Sequence, residues 1–196
     1  MTEGELKRFS GYKPAPIGDD DEPYLEYDDK KGRNLQTAAS LDWRALGKVT
    51  SVKDQGSCGS CYTFSAAGAM ESAYAIKYNI TQSLSTQQLL DCTGSYGNYG
   101  CGGGWMNTCF NYLKYYKLLK WSDYPYTGYK GSCKHDNNVG VTWTVGTYGY
   151  LNVVKYNPNA LVTALNMMPV AAAVQSMNSA FYYYAGGIVD TPSCGN

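Results

Sequence analysis

Cys58 and Cys61 raise the first chemical question in this sequence. They stand as Cys-x-x-Cys within Gln55-Gly56-Ser57-Cys58-Gly59-Ser60-Cys61-Tyr62-Thr63-Phe64-Ser65. Such a pair can be a redox dithiol, half of a zinc site, or one structural sulfur beside one reactive sulfur. A redox pair belongs at a strand-to-helix turn of an alternating α/β sheet, and the flanking residues show no such alternation. Zinc needs a second close pair of ligands, yet Cys92, Cys101, Cys109 and Cys133 are irregularly spaced, and the single histidine, His135, follows Cys133 by two residues. No metal is therefore expected. Seven cysteines make an odd count, so at least one thiol is left over, either as a reactive group or for a partner outside the chain. A helix is expected to start at or just before Cys61. A sulfur there feels the positive end of the helix dipole, which lowers its pKa and favours a nucleophilic thiolate near neutral pH. Gly59 and Ser60 are small enough to admit a substrate backbone beside it.

Other elements must hold that helix start. Phe64, Ala67, Ala75 and Tyr78 recur at helical spacings and carry the first helix to about Tyr78. Ser85-Thr86-Gln87-Gln88 has the capping-box pattern, with Leu89 and Leu90 as the buried face of a short second helix. A third helix is expected from Trp105 to Leu119. Beyond Gly140 the alternation of Val141, Trp143 and Val145, the run Val170 to Val174, and Ile188-Val189 read as strands. A helical half followed by a strand-rich half implies an α+β architecture with segregated parts, divided near residue 150.

Length and composition agree with a globular chain. There are 196 residues, 44% of them apolar, enough for a substantial core. Twenty Tyr and twenty-two Gly favour tight turns and amphipathic contacts over a helical bundle. Sixteen basic residues balance sixteen acidic ones, so charge makes no case for nucleic acid or an anionic membrane as partner. No stretch approaches the roughly 20 apolar residues of a membrane span. Residues 1–40 differ in texture: Asp19, Asp20, Asp21, Glu22, Glu26, Asp28 and Asp29 follow Pro14 and Pro16, as in an extended linker, a removable segment or an acidic tail. The cysteine usage points to an oxidising compartment, and Asn79-Ile80-Thr81 fits the glycosylation acceptor pattern.

The motif around Cys61 is similar to the nucleophile signature of the papain-like cysteine peptidases. Further segments extend the resemblance over residues 41–196: Leu41-Asp42-Trp43-Arg44, Leu89-Leu90-Asp91-Cys92, Tyr99-Gly100-Cys101-Gly102-Gly103-Gly104-Trp105-Met106, Tyr124-Pro125-Tyr126, and Ala185-Gly186-Gly187-Ile188 through Cys194-Gly195-Asn196. It implies the two-part papain-like fold, with residues 41–150 as the helical half and 151–196 opening a β-barrel-like half. It implies Cys61 as nucleophile, and Gln55 with the Cys61 N–H as donors to the oxyanion. It implies disulfides Cys58–Cys101 and Cys92–Cys133, with Cys194 awaiting a partner and Cys109 a buried thiol. Gly103 and Gly104 would let a peptide pair along the cleft, and Trp105, Met106 and Ala173 would shape the neighbouring pocket. The implied substrate is a peptide or protein, no cofactor is implied, and the implied setting is a lysosome or the secretory route.

Departures from the family pattern set further expectations. The family's catalytic His and Asn follow the nucleophile by ~130–150 residues, which places them beyond Asn196, on a further segment or a second chain; His135 is expected to be a loop residue. An incomplete precursor of an active peptidase is one reading. The other is a shortened, inactive homologue serving as a binding or assembly component. Tyr62-Thr63 replaces the Trp-Ala of many relatives. Met1 to Phe9 is similar to the tail of the family's inhibitory propeptide, so cleavage is expected between Gly32 and Leu41.

Overall fold

The computed structural model describes residues 40–134, 150–174, 181 and 183–189. Four α-helices occur among them: α1 (Cys61–Tyr78), α2 (Thr86–Cys92), α3 (Met106–Leu113) and α4 (Pro158–Met167). Two 3-10 turns, Gly94–Tyr96 and Gly100–Gly102, join α2 to α3. None of these helices is long and apolar enough to cross a membrane.

α1 is the central element and packs against both α2 and α3. Its inward set is Tyr62, Ala66, Ala67, Met70 and Ala75, all buried, whereas Tyr78 ends exposed. The helix ends where the spacing of Phe64, Ala67, Ala75 and Tyr78 places it; of these four, Ala67 and Ala75 are buried, Phe64 is half-buried and Tyr78 is exposed. Small Ala side chains let neighbouring backbones approach, and Tyr62, Leu84, Leu89, Leu90, Tyr112, Leu113 and Leu118 fill the remaining space. Each fully buried Leu in that set contributes about 1.5–3 kcal/mol of apolar transfer. α1 ends at Asn79, whose left-handed backbone (φ 55°) closes the helix. Lys48 reaches its carboxyl end, donating from Nζ to the Ala75 carbonyl (3.2 Å) and to Asn79 Oδ1 (2.6 Å).

α2 is short and wholly buried, polar side chains included. Ser85 caps it by accepting from the Gln88 N–H at 2.9 Å. The reciprocal half of the capping box does not form. The Ser85 N–H donates instead to the Leu119 carbonyl, while the Gln88 side chain donates to Tyr112 Oη and the Lys117 carbonyl and accepts from the Leu119 N–H. This capture of residues 117–119 explains why the third helix is shorter than expected. α3 ends at Leu113, and the chain then turns so that Lys120 bridges to Leu84.

Gln87 and Asp91 hold the next segment. Gln87 accepts from Thr127 and donates to the Tyr129 carbonyl; Asp91 accepts from Tyr124 Oη (2.6 Å) and from the Gly131 N–H (2.6 Å). The Cys92–Cys133 disulfide closes the same region.

The strand expectations fare differently. Val141, Trp143 and Val145 lie outside the described residues. The described parts of Val170–Val174 and Ile188-Val189 form no named strand. The named element within residues 151–174 is a helix instead, α4. Asn157 accepts from the Ala160 N–H at 3.0 Å and Pro158 occupies the first helical position, a start signal that the strand reading passed over. Trp43 Nε1 donates to the Leu165 carbonyl at 2.8 Å, tying the segment before α1 to α4.

Candidate active site

Cys61 is the first residue of α1 and stands outside both disulfides, half-buried. The first turn of α1 contains no acidic side chain, so no carboxylate there opposes the positive end of the helix dipole. Ser60 occupies the cap position but its hydroxyl does not cap the helix. Its backbone carbonyl instead accepts from both the N–H and the hydroxyl of Thr63, each at 2.8 Å. That leaves the Ser60 hydroxyl for another partner, Tyr126 Oη, at 2.6 Å.

Gln55 lies on the approach to the helix. Its Nε2 donates to the Cys58 carbonyl at 2.9 Å, which lays the side-chain amide against the turn leading into Cys61. Gly56 makes the bend possible, with φ at 60° and its N–H donating to Asp54 Oδ1 at 2.8 Å. The same strand of chain is fixed to α1 by charge. Glu71, with no exposed side-chain surface, accepts from Lys53 Nζ at 2.9 Å, from Thr50 Oγ1 and, through its other oxygen, from the Leu84 N–H at 2.7 Å. Both oxygens of this buried side chain therefore have hydrogen-bond partners.

Three ties join the nucleophile segment to the glycine-rich loop. The Cys58–Cys101 disulfide is the first. The Gly59 N–H donates to the Cys101 carbonyl at 3.2 Å, and Tyr62 Oη donates to the Gly100 carbonyl at 3.1 Å. Burial pushes the Tyr62 phenol well up from its ordinary range, so it remains a donor. Tyr62 thus links the two segments through its hydroxyl as well as filling core space.

Asn98 shapes the loop itself. Its Oδ1 accepts from the Trp105 N–H at 2.8 Å, and its Nδ2 donates to Thr93 Oγ1 at 2.9 Å and approaches Cys109 Sγ at 3.4 Å. A Cβ on Gly104 would lie 2.2 Å from that Oδ1, so the Asn98 amide occupies space that only glycine leaves open. Gly103 has φ 104°, accessible mainly to glycine, and its carbonyl accepts from the Tyr99 N–H at 2.9 Å. Gly103 and Gly104 are buried, while Trp105 and Met106 are half-buried beside them. Ala173 is exposed in an irregular stretch. Cys109 is fully buried, and burial pushes its thiol up, against opposing hydrogen bonds from Asn98 and Thr93. Asn79 is exposed at the end of α1, and Thr81 Oγ1 donates to the Gly47 carbonyl at 2.9 Å. His135 and Cys194 lie outside the described residues.

Sequence reasoning missed three parts of this constellation: the Asn98 anchor, the Lys53–Glu71 pair, and the hydroxyl of Tyr126. Only the last had a visible signal, the Tyr-Pro-Tyr run, and the run alone does not say where a hydroxyl points.

A cysteine at a helix start and outside both disulfides, an amide held on the turn before it and a glycine loop tied to the same segment through Cys58, Gly59 and Tyr62 thus lie together. Residues 37–196 match the family model described as papain family cysteine protease, and the chain belongs to that family. It is 36% identical to digestive cysteine proteinase 2 of Homarus americanus over 96% of this chain and 58% of that protein. It is 40% identical to a cathepsin L-like proteinase of Fasciola hepatica, over 84% of this chain and 49% of the relative. Among solved structures, the recombinant stem bromelain precursor superposes with a TM-score of 0.81 at 34% identity, covering 98% of this chain and 59% of that one. Digestive procathepsin L2 of Tenebrio molitor gives a TM-score of 0.81 at 32% identity, covering 99% and 62%. The fold is therefore the α+β papain-like one. The chain spans about half the length of the curated relatives it matches.

Proposed function

We propose that this chain carries the nucleophile-bearing part of a cysteine endopeptidase made as a precursor. The Cys61 thiolate attacks the carbonyl carbon of a peptide bond, and the oxygen takes up negative charge between the Cys61 N–H and the Gln55 amide. The amine leaves with a proton and a thioester to Cys61 remains. Water then attacks the thioester, releasing the acid and restoring the thiol. A histidine and an asparagine beyond Asn196 complete the proton shuttle in this proposal. Gly103 and Gly104 line the peptide path, with Trp105, Met106 and Ala173 around the adjacent pocket.

The observation that carries the reading is the position of Cys61: first residue of α1, outside both disulfides, with the Gln55 amide held on the Cys58 carbonyl three residues away. In the same proposal residues 1–40 form a propeptide tail and acidic linker, residues 41–150 the helical half and 151–196 the opening of the β-rich half. Two disulfides and an exposed Asn79 suit an oxidising, secretory or lysosomal route.

The test is to treat the native protein with a peptidyl epoxide at mildly acidic pH and map the adduct by mass spectrometry. The expected result is a single adduct on Cys61, none on the buried Cys109, and loss of labelling in Cys61→Ser. Native protein that neither labels at Cys61 nor hydrolyses peptides would overturn this reading in favour of a binding component.

A further inference from the structure

We propose that the Tyr126 hydroxyl is a positioning group for the oxyanion site, setting the Gln55 segment against the start of α1. The inference rests on the peptidase reading above and adds to it a residue outside the nucleophile motif. Tyr126 Oη lies 2.8 Å from the Gln55 carbonyl and 2.6 Å from Ser60 Oγ. A carbonyl can only accept, so the one phenolic proton goes to Gln55. The Ser60 hydroxyl must then donate to Tyr126. Its alternative acceptor, the Cys58 carbonyl, is 3.4 Å away.

The result is a relay from Ser60, the residue immediately before the nucleophile, through Tyr126 to the backbone of Gln55. Residues 55 and 60 are the two ends of the turn that presents both the oxyanion donors and the sulfur. One hydroxyl therefore fixes the width of that turn. Tyr126 is itself rigid. Its ring packs edge-on against Phe64 of α1 at 5.0 Å and lies tilted against Trp121 at 6.1 Å. Its neighbours are anchored from α2, Tyr124 by Asp91 and Thr127 by Gln87. Burial pushes the phenol up from its ordinary value, consistent with a neutral donor.

The experiment uses the full-length protein and Tyr126→Phe, which removes the oxygen and keeps both ring contacts. The expected result is a fall in kcat of about tenfold, the equivalent of one buried hydrogen bond, with KM within about twofold. Alkylation of Cys61 by iodoacetamide forms no oxyanion, so its rate should stay within about twofold. Gln55→Ala should lose ~10²-fold or more. Tyr126→Phe added to it should cost nothing further, because the tyrosine acts through the glutamine. An unchanged kcat, an alkylation rate that falls in step with kcat, or multiplicative losses in the double variant would each overturn the proposal. If Tyr126→Phe does not fold, Ser60→Ala cuts the other end of the relay and should lower kcat in the same direction. Should the unaltered protein hydrolyse no peptide, the peptidase reading fails by itself. Amide hydrogen exchange then decides the positioning claim: faster exchange across residues 55–60 in Tyr126→Phe supports it, and unchanged exchange overturns it.

Discussion

Replacing Gly104 by alanine tests the account of the glycine loop most directly. The new methyl carbon would sit 2.2 Å from Asn98 Oδ1, 2.6 Å from Cγ and 3.0 Å from Cβ. Ordinary contact lies near 3.5 Å, so the Asn98 amide must retreat by about 1 Å. It has nowhere to go, since Asn98 is only 4% exposed. Retreat breaks the bond to the Trp105 N–H and strains the one to Thr93 Oγ1. Each buried group left unsatisfied costs about 1–3 kcal/mol. Against this, Gly→Ala stiffens the unfolded chain and returns about 0.4–1 kcal/mol. The expected net loss is about 2–5 kcal/mol, read from urea denaturation with both disulfides intact. Gly68→Ala is the control: it lies within α1 with nothing within 4 Å of its Cβ, and should gain about 0.5–1 kcal/mol. Asn98→Ala is costly alone but should remove most of the penalty of Gly104→Ala when the two are combined, since only the Cβ contact at 3.0 Å remains. If Gly104→Ala proves as stable as Gly68→Ala, the claim that Asn98 occupies the methyl's place is refuted.

Three other outcomes follow from the same packing. Glu71→Ala leaves Lys53 and the Leu84 N–H without their shared acceptor and should cost about 3–5 kcal/mol in thermal unfolding; a loss below about 1 kcal/mol would show that the pair is not buried as described. Tyr112, pushed up to about 12 chiefly by burial, should ionise after the surface tyrosines in an ultraviolet titration. The unfolded phenol deprotonates near 10, so its contribution is complete below that value and is lost as pH rises towards about 12. Asp42 is held at about 2, first by its side-chain hydrogen bond from Arg44. Its carboxylate therefore favours the folded form above the ordinary value of 3.8, and that preference fades as pH falls through about 2. A carbon NMR titration should show the low midpoint, and Arg44→Ala should return it towards 3.8.

Local rules read the nucleophile's surroundings well. The start of α1 at Cys61 followed from the spacing of apolar residues together with the family resemblance, because a long helix repeats its signal over many turns. The cap at Ser85 was equally legible, being a contact between residues three apart. What failed was whatever long-range partners decide. The Gln88 side chain was expected to reach back to Ser85, but residues 117–119 offered better-placed groups, and taking them also cut the third helix short. α4 was read as part of a strand-rich stretch although Asn157-Pro158 announced a helix start. In the candidate site, Cys61 and Gln55 stand out in the sequence as motif residues, whereas Asn98 and the Tyr126 hydroxyl are defined by contacts with partners distant in sequence or at loop ends, where periodicity carries no information.

The wholly buried α2 has a consequence for how the protein reaches its oxidised form. Seven residues are too few to hold a helix in water unaided, and nearly every group that satisfies Gln87, Gln88 and Asp91 belongs to residues 112–131. Those residues sit inside the span that Cys92 and Cys133 close, a separation of 41. Correct thiol pairing and helix formation should therefore rise and fall together during oxidative renaturation. A substitution such as Gln88→Leu, far from either sulfur, should show itself as scrambled bridges before any defect at Cys61 is visible.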